Sequence, residues 1–285
     1  MSGPDFRLTW GRWSLDLGVR PHIMGVINVT PDSFSDGGDF YTFESALEQG
    51  WSLVKAGADL LDVGGESTRP GSERISEAEE RSRVLPLIEA LADRIPVPIS
   101  IDTYRAGIAQ DALRAGASII NDISAGRLDP EILKVAARAG VPLILMHMKG
   151  QPKSMQDHPT YDDLMAEIKM FLADAMQRAE AAGVSREMII LDPGLGFGKT
   201  YDHNLILLNR LEELVALGRP LLIGASRKAF LGQILGGAPP KERDVATAAA
   251  SVLAAYKGGC ILRVHEVRPT REALLVTRAV MREHA

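Results

Sequence analysis

Short apolar runs rich in β-branched residues recur along the chain, and stretches with the hydrophobic period of a helix separate them. The apolar runs predict eight strands, at residues 23–29, 60–65, 98–103, 118–124, 142–148, 187–193, 220–226 and 260–267. The stretches that follow them predict eight helices, at about residues 43–57, 76–94, 104–116, 129–140, 161–182, 201–218, 244–258 and 270–284. Strict alternation of strands and helices predicts a parallel sheet.

The length of the repeat favours a closed sheet. Seven repeats separate the ends of the first and last strands and average about 34 residues each, as expected of a βαβ unit. Eight such units predict an α/β fold of the (β/α)8 TIM barrel type, with an open doubly wound sheet as the alternative. Residues 6–17 alternate in period two around a Gly-Arg-Trp turn and predict an N-terminal β-hairpin, within residues 1–20, that closes the barrel bottom. No linker composition interrupts the chain, so we expect residues 1–285 to form one domain.

Composition excludes several classes of protein. The chain has 285 residues, of which 32 are Lys or Arg and 37 are Asp or Glu, so its formal net charge is −5 and nucleic acid is not an expected partner. The single cysteine, Cys260, cannot form an internal disulfide. No apolar run reaches the roughly 18 residues of a membrane span, and the N-terminal residues lack the continuous apolar segment of a signal peptide. We therefore expect a cytoplasmic protein without a membrane partner.

Polar residues lie where the predicted strands end. In (β/α)8 barrels the chemistry lies at the carboxyl ends of the strands, and a buried polar side chain costs several kcal/mol unless it has a partner. A group of polar residues at equivalent positions therefore indicates a site. Its members are Asn28, Asp62, Asp102, Asn121, Asp122, Asp192, Lys228, Arg263 and His265.

Side-chain alternation sorts these residues by face. Arg263 and His265 alternate with two aliphatic residues that must meet the helices, so both cations are predicted to point into the barrel mouth. The same alternation points Asp102 inwards and Asp122 outwards. We expect carboxylates and amides on one arc of the mouth and Lys228, Arg263 and His265 on another. Such a separation of charge indicates a ligand that combines a donor-rich heterocycle with a phosphate group.

Two of the carboxylates have alternative interpretations. Asp122 is expected to cap the fourth helix or to pair with a neighbour. Asp62 is either a ligand or a buried support for the loop after the second strand. The histidines other than His265 receive no role, and His147 is predicted to face away from Met146.

Familiar nucleotide and metal motifs do not fit. Residues 194–200 (GLGFGKT) resemble a P-loop, but Pro193 stands where that motif needs glycine, and Lys199 stands where a dinucleotide fingerprint needs its third glycine. No histidine or cysteine spacing typical of a transition-metal site occurs. A magnesium ion carried by a phosphate group remains compatible, because Mg²⁺ needs only one or two protein oxygens.

Two long connections are predicted to act as lids. Residues 30–41 and 66–76 follow the first two strands, are rich in Gly, Pro and Ser, and exceed the usual two to six residues of such loops. Asp36 in the first and Arg69 in the second could pair across the mouth.

The motifs in these segments closely resemble dihydropteroate synthase. The resemblance covers every strand-helix unit in order and is most specific in MGVINVTPDSFSDGG, DVGGESTRPG and SRK. It is carried by residues 24–38, 62–71, 100–103, 119–124, 145–156, 192–199, 223–232 and 262–267. The family joins 6-hydroxymethyl-7,8-dihydropterin pyrophosphate to p-aminobenzoate in folate biosynthesis, and it is the target of sulfonamides. The resemblance thus implies a transferase with small-molecule substrates.

The resemblance also implies roles for individual residues. Around the pterin ring it puts Asp102, Asn121, Met146, Asp192 and Lys228. For pyrophosphate it implies Asn28, Arg263 and His265, with Asn28 acting through Mg²⁺ as the metal residue. For p-aminobenzoate it implies Phe34, Thr68, Pro70, Phe197 and Lys228, enclosed when Asp36 and Arg69 close the loops. Catalytic roles are implied for Asp102, Asp192, Lys228, Arg263 and His265, and the family implies a homodimer, for which residues 246–255 are a candidate surface.

Two residues depart from the family pattern. Ala229 follows the SRK motif where members often carry a hydroxyl or a larger residue, which could reshape the p-aminobenzoate site. Glu266 replaces the usual Asp after His265, and we expect no effect. The alternative functions are a methyltetrahydrofolate-corrinoid methyltransferase, which needs no such lids, and a non-catalytic pterin-binding paralogue.

Overall fold

Eight parallel strands close into a barrel. The computed structural model describes residues 6–29, 43–67, 74–150, 155–156 and 158–282. Neighbouring strands follow the order β10-β3-β4-β5-β6-β7-β8-β9, and β10 pairs with β3 to close the ring. The barrel strands are β3 (His22–Asn28), β4 (Leu60–Gly64), β5 (Ile99–Asp102), β6 (Ile119–Asp122), β7 (Leu143–Met146), β8 (Ile189–Asp192), β9 (Leu221–Ile223) and β10 (Gly259–Val264). The predicted TIM barrel is confirmed, and the open sheet is not.

Helices surround the barrel and bury their apolar faces against it. They are α1 (Phe43–Ala56), α2 (Glu77–Ala92), α3 (Ala106–Arg114), α4 (Glu131–Ala139), α5 (Leu164–Ala181), α6 (Tyr201–Asn209), α7 (Glu212–Val215), α8 (Ala229–Ile234), α9 (Asp244–Tyr256) and α10 (Val267–Arg282). Short 3-10 helices occupy Arg186–Met188 and Pro240–Arg243. Within the described residues, no helix combines the length and the apolar character that crossing a membrane requires.

The helix predictions were wrong in two places. The helix expected at residues 201–218 is divided into α6 and α7, because the chain leaves helical geometry at Arg210. Helix α8 lies where only a loop was expected, between β9 and α9. It has six residues, which is too short for a hydrophobic period to reveal.

The hairpin of β1 (Arg7–Trp10) and β2 (Trp13–Asp16) packs at the end of the barrel where the strands begin. The Phe6 ring lies 5.4 Å from the Arg219 guanidinium, which donates hydrogen bonds to carbonyl oxygens that precede or begin β8. Trp10 is buried in the main core together with the leucines of the hairpin. The hairpin therefore lies at the barrel bottom, as predicted, at the end opposite to the carboxyl ends of the strands.

Candidate active site

The carboxyl ends of the strands surround a cavity of about 650 Å³. The residues to which the resemblance assigns roles, where the structure describes them, all line this cavity: Asn28, Asp102, Asn121, Met146, Asp192, Phe197, Lys228, Arg263 and His265. Of the strand-end group, Asp62 and Asp122 do not line it. The other predicted site residues, Phe34, Asp36, Thr68, Arg69 and Pro70, lie outside the described residues. The predicted pairing of Asp36 with Arg69 lies there too.

The floor of the cavity is formed by Asp102, Asn121, Met146 and Asp192, which the register of the strands brings side by side. Asp102 is the pairing partner of Asn121 in adjacent strands, and Met146 is the partner of Asp192. Because paired residues of parallel strands present their side chains to the same face, two carboxylates and an amide meet beside an apolar thioether. This floor combines hydrogen-bond acceptors with a surface on which a flat heterocycle can pack.

Arg263 does not lie on a separate cationic arc. Its Nε donates to Asp62 Oδ2 at 2.6 Å, and its Nη2 donates to Asp102 Oδ2 at 2.7 Å. Two carboxylates in the barrel interior need a cation, because burying unpaired charge is very costly. The expected separation of anionic and cationic arcs is therefore wrong for Arg263. Its guanidinium neutralises the carboxylates of the floor, and Arg263 also lines the cavity.

Asp62 is a buried support, and its partners among the described residues are side chains of the site. Its carboxylate is inaccessible to solvent, and Oδ2 accepts from both Arg263 and the Asn121 side-chain amide, the latter at 3.1 Å. Asp62 thus fixes two side chains that line the cavity.

Asp122 organises the chain after β6. Its oxygens accept from the backbone N–H groups of Ser124 at 2.7 Å and Gly126 at 2.5 Å. Of the two expectations for Asp122, pairing with neighbours is confirmed, whereas capping of α4 is wrong, because Pro130 precedes that helix and Asp122 bonds only the turn before it.

Burial shifts the titration of the charged groups in the cavity. Burial, together with the nearby Asp62 carboxylate, raises the pKa of Asp102 to about 7, against the opposing charge of Arg263. Burial also raises the pKa of Asp192. It lowers the pKa of Lys228 to about 8, although the Asp192 carboxylate opposes the shift. Burial opposes the charge of Arg263 as well, but Asp62 and Asp102 raise its pKa above the ordinary value, so it stays charged.

Lys228 lies at the end of the segment that joins β9 to α8, and its side chain contacts the β8-α6 connection. Its Nζ donates to the Leu195 carbonyl and lies 4.1 Å from the centre of the Phe197 ring, a cation-π contact. The preceding Arg227 has φ 57°, a left-handed conformation that is unfavourable for a residue with a side chain. Two sets of hydrogen bonds maintain this conformation. The Arg227 guanidinium donates to both oxygens of Asp244, at 2.8 and 2.9 Å, and Arg243 donates to the carbonyl oxygens of Arg227 and Lys228.

Ser226 holds His265. The backbone N–H of His265 donates to Ser226 Oγ at 3.1 Å, and that oxygen lies 2.9 Å from His265 Nδ1. A hydroxyl can accept from the backbone N–H and also hydrogen-bond to Nδ1, and the two contacts together fix the orientation of the imidazole ring at the cavity wall. The role of Ser226 was not predicted.

Sequence reasoning also missed a buried pair at the cavity wall, which Lys199 lines. Lys199 is only 3% exposed, and its Nζ lies 2.9 Å from His147 Nδ1 and donates to the Phe197 carbonyl at 3.1 Å. Burial and the charge of Lys199 lower the pKa of His147 to about 2, and burial lowers the pKa of Lys199 well below its usual range. The only signal was the glycine-rich run before Lys199.

The glycines of that run allow two connections to touch. Gly194 has φ +67°, and a side chain there would lie 2.0 Å from the His147 carbonyl. Gly198 has φ +63°, and a side chain there would lie 2.2 Å from the Lys149 carbonyl. The β8-α6 connection, which carries Phe197, therefore packs directly on the backbone after β7. Gly194 N–H also donates to Asp192 Oδ1 at 2.7 Å, so this turn orients Asp192.

The sequence matches a known family over most of its length. Residues 24–265 match the family described as pterin binding enzyme. The dihydropteroate synthase of Synechocystis sp. is 47% identical over 272 residues, which cover 95% of this chain and 94% of that protein.

Solved structures agree with this match. A Yersinia pestis dihydropteroate synthase in a sulfonamide drug complex superposes with a TM-score of 0.92 at 47% identity, covering 97% of this chain and 99% of that one. The Xanthomonas albilineans enzyme in complex with 7,8-dihydropteroate gives a TM-score of 0.87 at 42% identity, covering 96% of this chain and 98% of that one.

Proposed function

The chain belongs to the dihydropteroate synthase family of pterin binding enzymes, and we propose that its cavity condenses 6-hydroxymethyl-7,8-dihydropterin pyrophosphate with p-aminobenzoate. The products are 7,8-dihydropteroate and pyrophosphate, and the reaction is a transfer in folate biosynthesis. The observation that carries the proposal is the cavity floor, where Asp102, Asn121 and Asp192 lie beside Lys228 and Arg263.

The floor suits the pterin ring. The ring edge carries several N–H donors, for which the Asp192 carboxylate and the Asn121 amide oxygen are acceptors. Met146 supplies a polarizable surface under the ring. Asp102, held by Arg263, lines the cavity and in its ionised form can accept from the ring.

The end of β10 suits the pyrophosphate, because it brings two cationic side chains to the cavity. Arg263 and His265 follow one another on the same face of the barrel and both line the cavity. Asn28, at the end of β3, lines it as well and offers an amide oxygen, a hard donor of the kind that Mg²⁺ accepts. Among the described residues, no group of three or more histidine, cysteine or acidic side chains is arranged to hold a metal ion. The Asn28 amide oxygen fits Mg²⁺ if pyrophosphate supplies further oxygens. Bound there, the ion would neutralise charge on the leaving group.

The reaction exchanges one bond for another at the methylene carbon of the pterin. The C–O bond breaks and pyrophosphate leaves with the electron pair, while the arylamine nitrogen forms the new C–N bond and loses a proton to solvent. Positive charge develops on the pterin as pyrophosphate departs. The carboxylates of Asp102 and Asp192 stabilise that charge, and Arg263 and His265 stabilise the charge on the departing group.

Positioning suffices for the arylamine, which is already nucleophilic. The Phe197 ring and the Lys228 ammonium, in contact with one another, form the described part of its site. Ala229 lines the cavity next to Lys228 and leaves space at the beginning of α8.

We also propose that two copies of the chain associate through α9 and α10. Apolar side chains on these helices are exposed: Val245, Leu253, Tyr256, Leu275, Val276, Val280 and Met281. A patch of this kind is typical of an association surface, and it extends the predicted surface at residues 246–255. Sedimentation should give the mass of a dimer for the parent and of a monomer for Val280→Lys. A monomeric parent would contradict the proposal.

The cytoplasmic location stays a prediction from the sequence.

The function is tested by following pyrophosphate release. With pterin pyrophosphate, Mg²⁺ and p-aminobenzoate, the protein should release pyrophosphate and form dihydropteroate in equal amounts. Release should stop without p-aminobenzoate. Asp192→Asn should lower kcat/KM by about 10²- to 10³-fold, the effect of losing one preorganised electrostatic contact. A protein that only binds the pterin would release none under any of these conditions, which would overturn the proposal.

A further inference from the structure

A second cluster of charged side chains lies where the β4-α2 and β5-α3 connections meet. Arg105, the residue before α3, forms ion pairs with Glu66, 2.8 Å away, and with Glu80. The Tyr104 hydroxyl donates to Glu66 at 3.1 Å. None of these residues was singled out by sequence analysis.

Arg105 joins both ends of one connection. Glu66 follows β4 at the start of the β4-α2 connection, and Ile75 lies at its end, immediately before the residue that caps α2. Arg105 Nη2 donates to the Ile75 carbonyl at 2.8 Å, while the same guanidinium pairs with Glu66. One side chain therefore sets the separation of the two ends and ties them to β5.

The cluster is too buried to be an ordinary surface ion pair. Glu80 is 1% exposed, and the Glu66 and Arg105 side chains are 9% and 16% exposed. Burial raises the pKa of Glu80, and the charge of Arg105 opposes that rise. A planar guanidinium can satisfy two carboxylates and a carbonyl together, which an ammonium group on a flexible stem cannot do with the same geometry.

Glu66 connects this cluster to the cavity. Glu66 and the adjacent Ser67 line the cavity, whereas Arg105 lies behind them. Asp102, on the cavity floor, precedes Arg105 by three residues in the β5-α3 connection. Arg105 is thus placed to fix one wall of the cavity relative to its floor without touching a substrate.

We propose that Arg105 is a positioning residue that holds Glu66 and Ser67 as a wall of the cavity, and that binding of the second substrate depends on this wall. This inference rests on the proposed function. The pterin floor is held separately by Asp62 and Arg263, so losing Arg105 affects the second substrate and spares the first.

The test compares Arg105→Gln with Arg81→Gln. Arg81 also pairs with two carboxylates, Glu77 and Asp111, but it lies outside the cavity and is more exposed. Arg105→Gln should raise the KM for p-aminobenzoate by about tenfold or more and change the Kd for pterin pyrophosphate by less than about threefold. Arg81→Gln should change neither. Arg105→Lys should recover only part of the loss, because it restores charge without the fork of donors.

Hydrogen exchange of the backbone gives a readout that is independent of catalysis. Peptides that cover residues 60–76 should exchange faster in Arg105→Gln than in the parent, and those from the β8-α6 connection should not. If Arg105→Gln folds poorly, Arg105→Lys and Tyr104→Phe supply the comparison, with the larger effect expected for the lysine variant.

Equal loss of affinity for both substrates, or exchange unchanged at residues 60–76, would overturn the inference. A parent without p-aminobenzoate-dependent pyrophosphate release would overturn the proposed function instead. In that case, the exchange experiment still decides whether Arg105 holds this wall.

Discussion

The carboxylate of Asp62 accepts hydrogen bonds from Arg263 and Asn121 through a single oxygen while remaining inaccessible to solvent. Asp62→Asn keeps the shape of the side chain but removes the charge that holds the guanidinium. We expect kcat/KM to fall by about 10- to 100-fold, the usual effect of losing a partner that orients a functional group. Because the Asp62 charge raises the pKa of Asp102, the acid limb of the pH profile should also move to lower pH.

Asp59 provides a control at the other end of the barrel. It is also a largely buried carboxylate paired with an arginine, Arg20, at 2.8 Å, and it accepts the Ile23 N–H at 2.9 Å. Asp59→Asn should lower stability and leave kcat/KM unchanged. Similar activity losses in the two variants would show that Asp62 acts only through overall stability.

The pH dependence of catalysis follows from Asp102 and Lys228. The ionised form of Asp102 is lost as the pH falls through about 7, and the protonated form of Lys228 is lost as the pH rises through about 8. The plot of kcat/KM against pH should therefore be a narrow bell with its maximum between these values. A flat profile from about pH 5 to 7 would contradict the role of Asp102.

Protonation of Asp102 does not lower activity at acid pH by unfolding the protein. Its pKa in the folded protein lies above the ordinary 3.8, so the folded state binds the proton more tightly than the unfolded state does. Lowering the pH from about 7 towards 4 then adds stability from this group. Circular dichroism should show an intact fold where activity has already declined.

At the scale of single residues, the sequence predicts which side chains line the mouth but not how they pair. Strand alternation points Asp102 and Arg263 inwards, because the two faces of a strand differ in polarity. The contact between Arg263 and Asp62 depends on the curvature of the closed ring, which no local pattern contains. Glu80 was missed for a related reason, since a glutamate on an amphipathic helix is ordinarily exposed.

In the β8-α6 connection, close contact with the His147 carbonyl requires glycine at position 194. Gly194→Ala combines a left-handed conformation with a side chain 2.0 Å from the His147 carbonyl, so the turn must move and take Asp192 with it. We expect a loss of stability of about 3 kcal/mol or more and a large loss of kcat per folded molecule. Thermal or denaturant unfolding and kinetics on the folded fraction measure the two effects.

Gly140→Ala separates conformational strain from steric overlap. Gly140 ends α4 with φ +64°, and nothing lies within 4 Å of a side chain built there. This variant should lose only about 1 kcal/mol, the cost of a left-handed alanine, and should keep its activity. An equal loss in both alanine variants would show that overlap with the His147 carbonyl is unimportant.

Elements are predictable from sequence where the signal is local and long enough. The barrel strands and long helices follow from repeated apolar runs and helical periods, as with β3 and α5. Helix α8 is different, because it follows a segment held by Arg243 and Asp244, which lie beyond it in the chain. Its existence depends on tertiary contacts more than on its own six residues.

The whole molecule separates stability at the barrel bottom from chemistry at the mouth. Trp10 is 5% exposed in the hairpin at the bottom, so Trp10→Ala should lower the free energy of unfolding by about 3–5 kcal/mol. The KM values and kcat per folded molecule should stay at the parent level, because the mouth is at the opposite end. Altered KM values in the folded variant would show that the two ends are coupled.

The ion pair between Asp62 and Arg263 also orders events during synthesis on the ribosome. The two residues are 201 positions apart, and Arg263 belongs to β10, the last of the barrel strands in chain order. Until then, the nascent chain carries Asp62 and Asp102 on adjacent strands without the guanidinium that neutralises them. Repulsion between these carboxylates opposes compaction of a ring that lacks β10. Arrival of β10 removes the repulsion, so completion of the substrate site coincides with closure of the barrel.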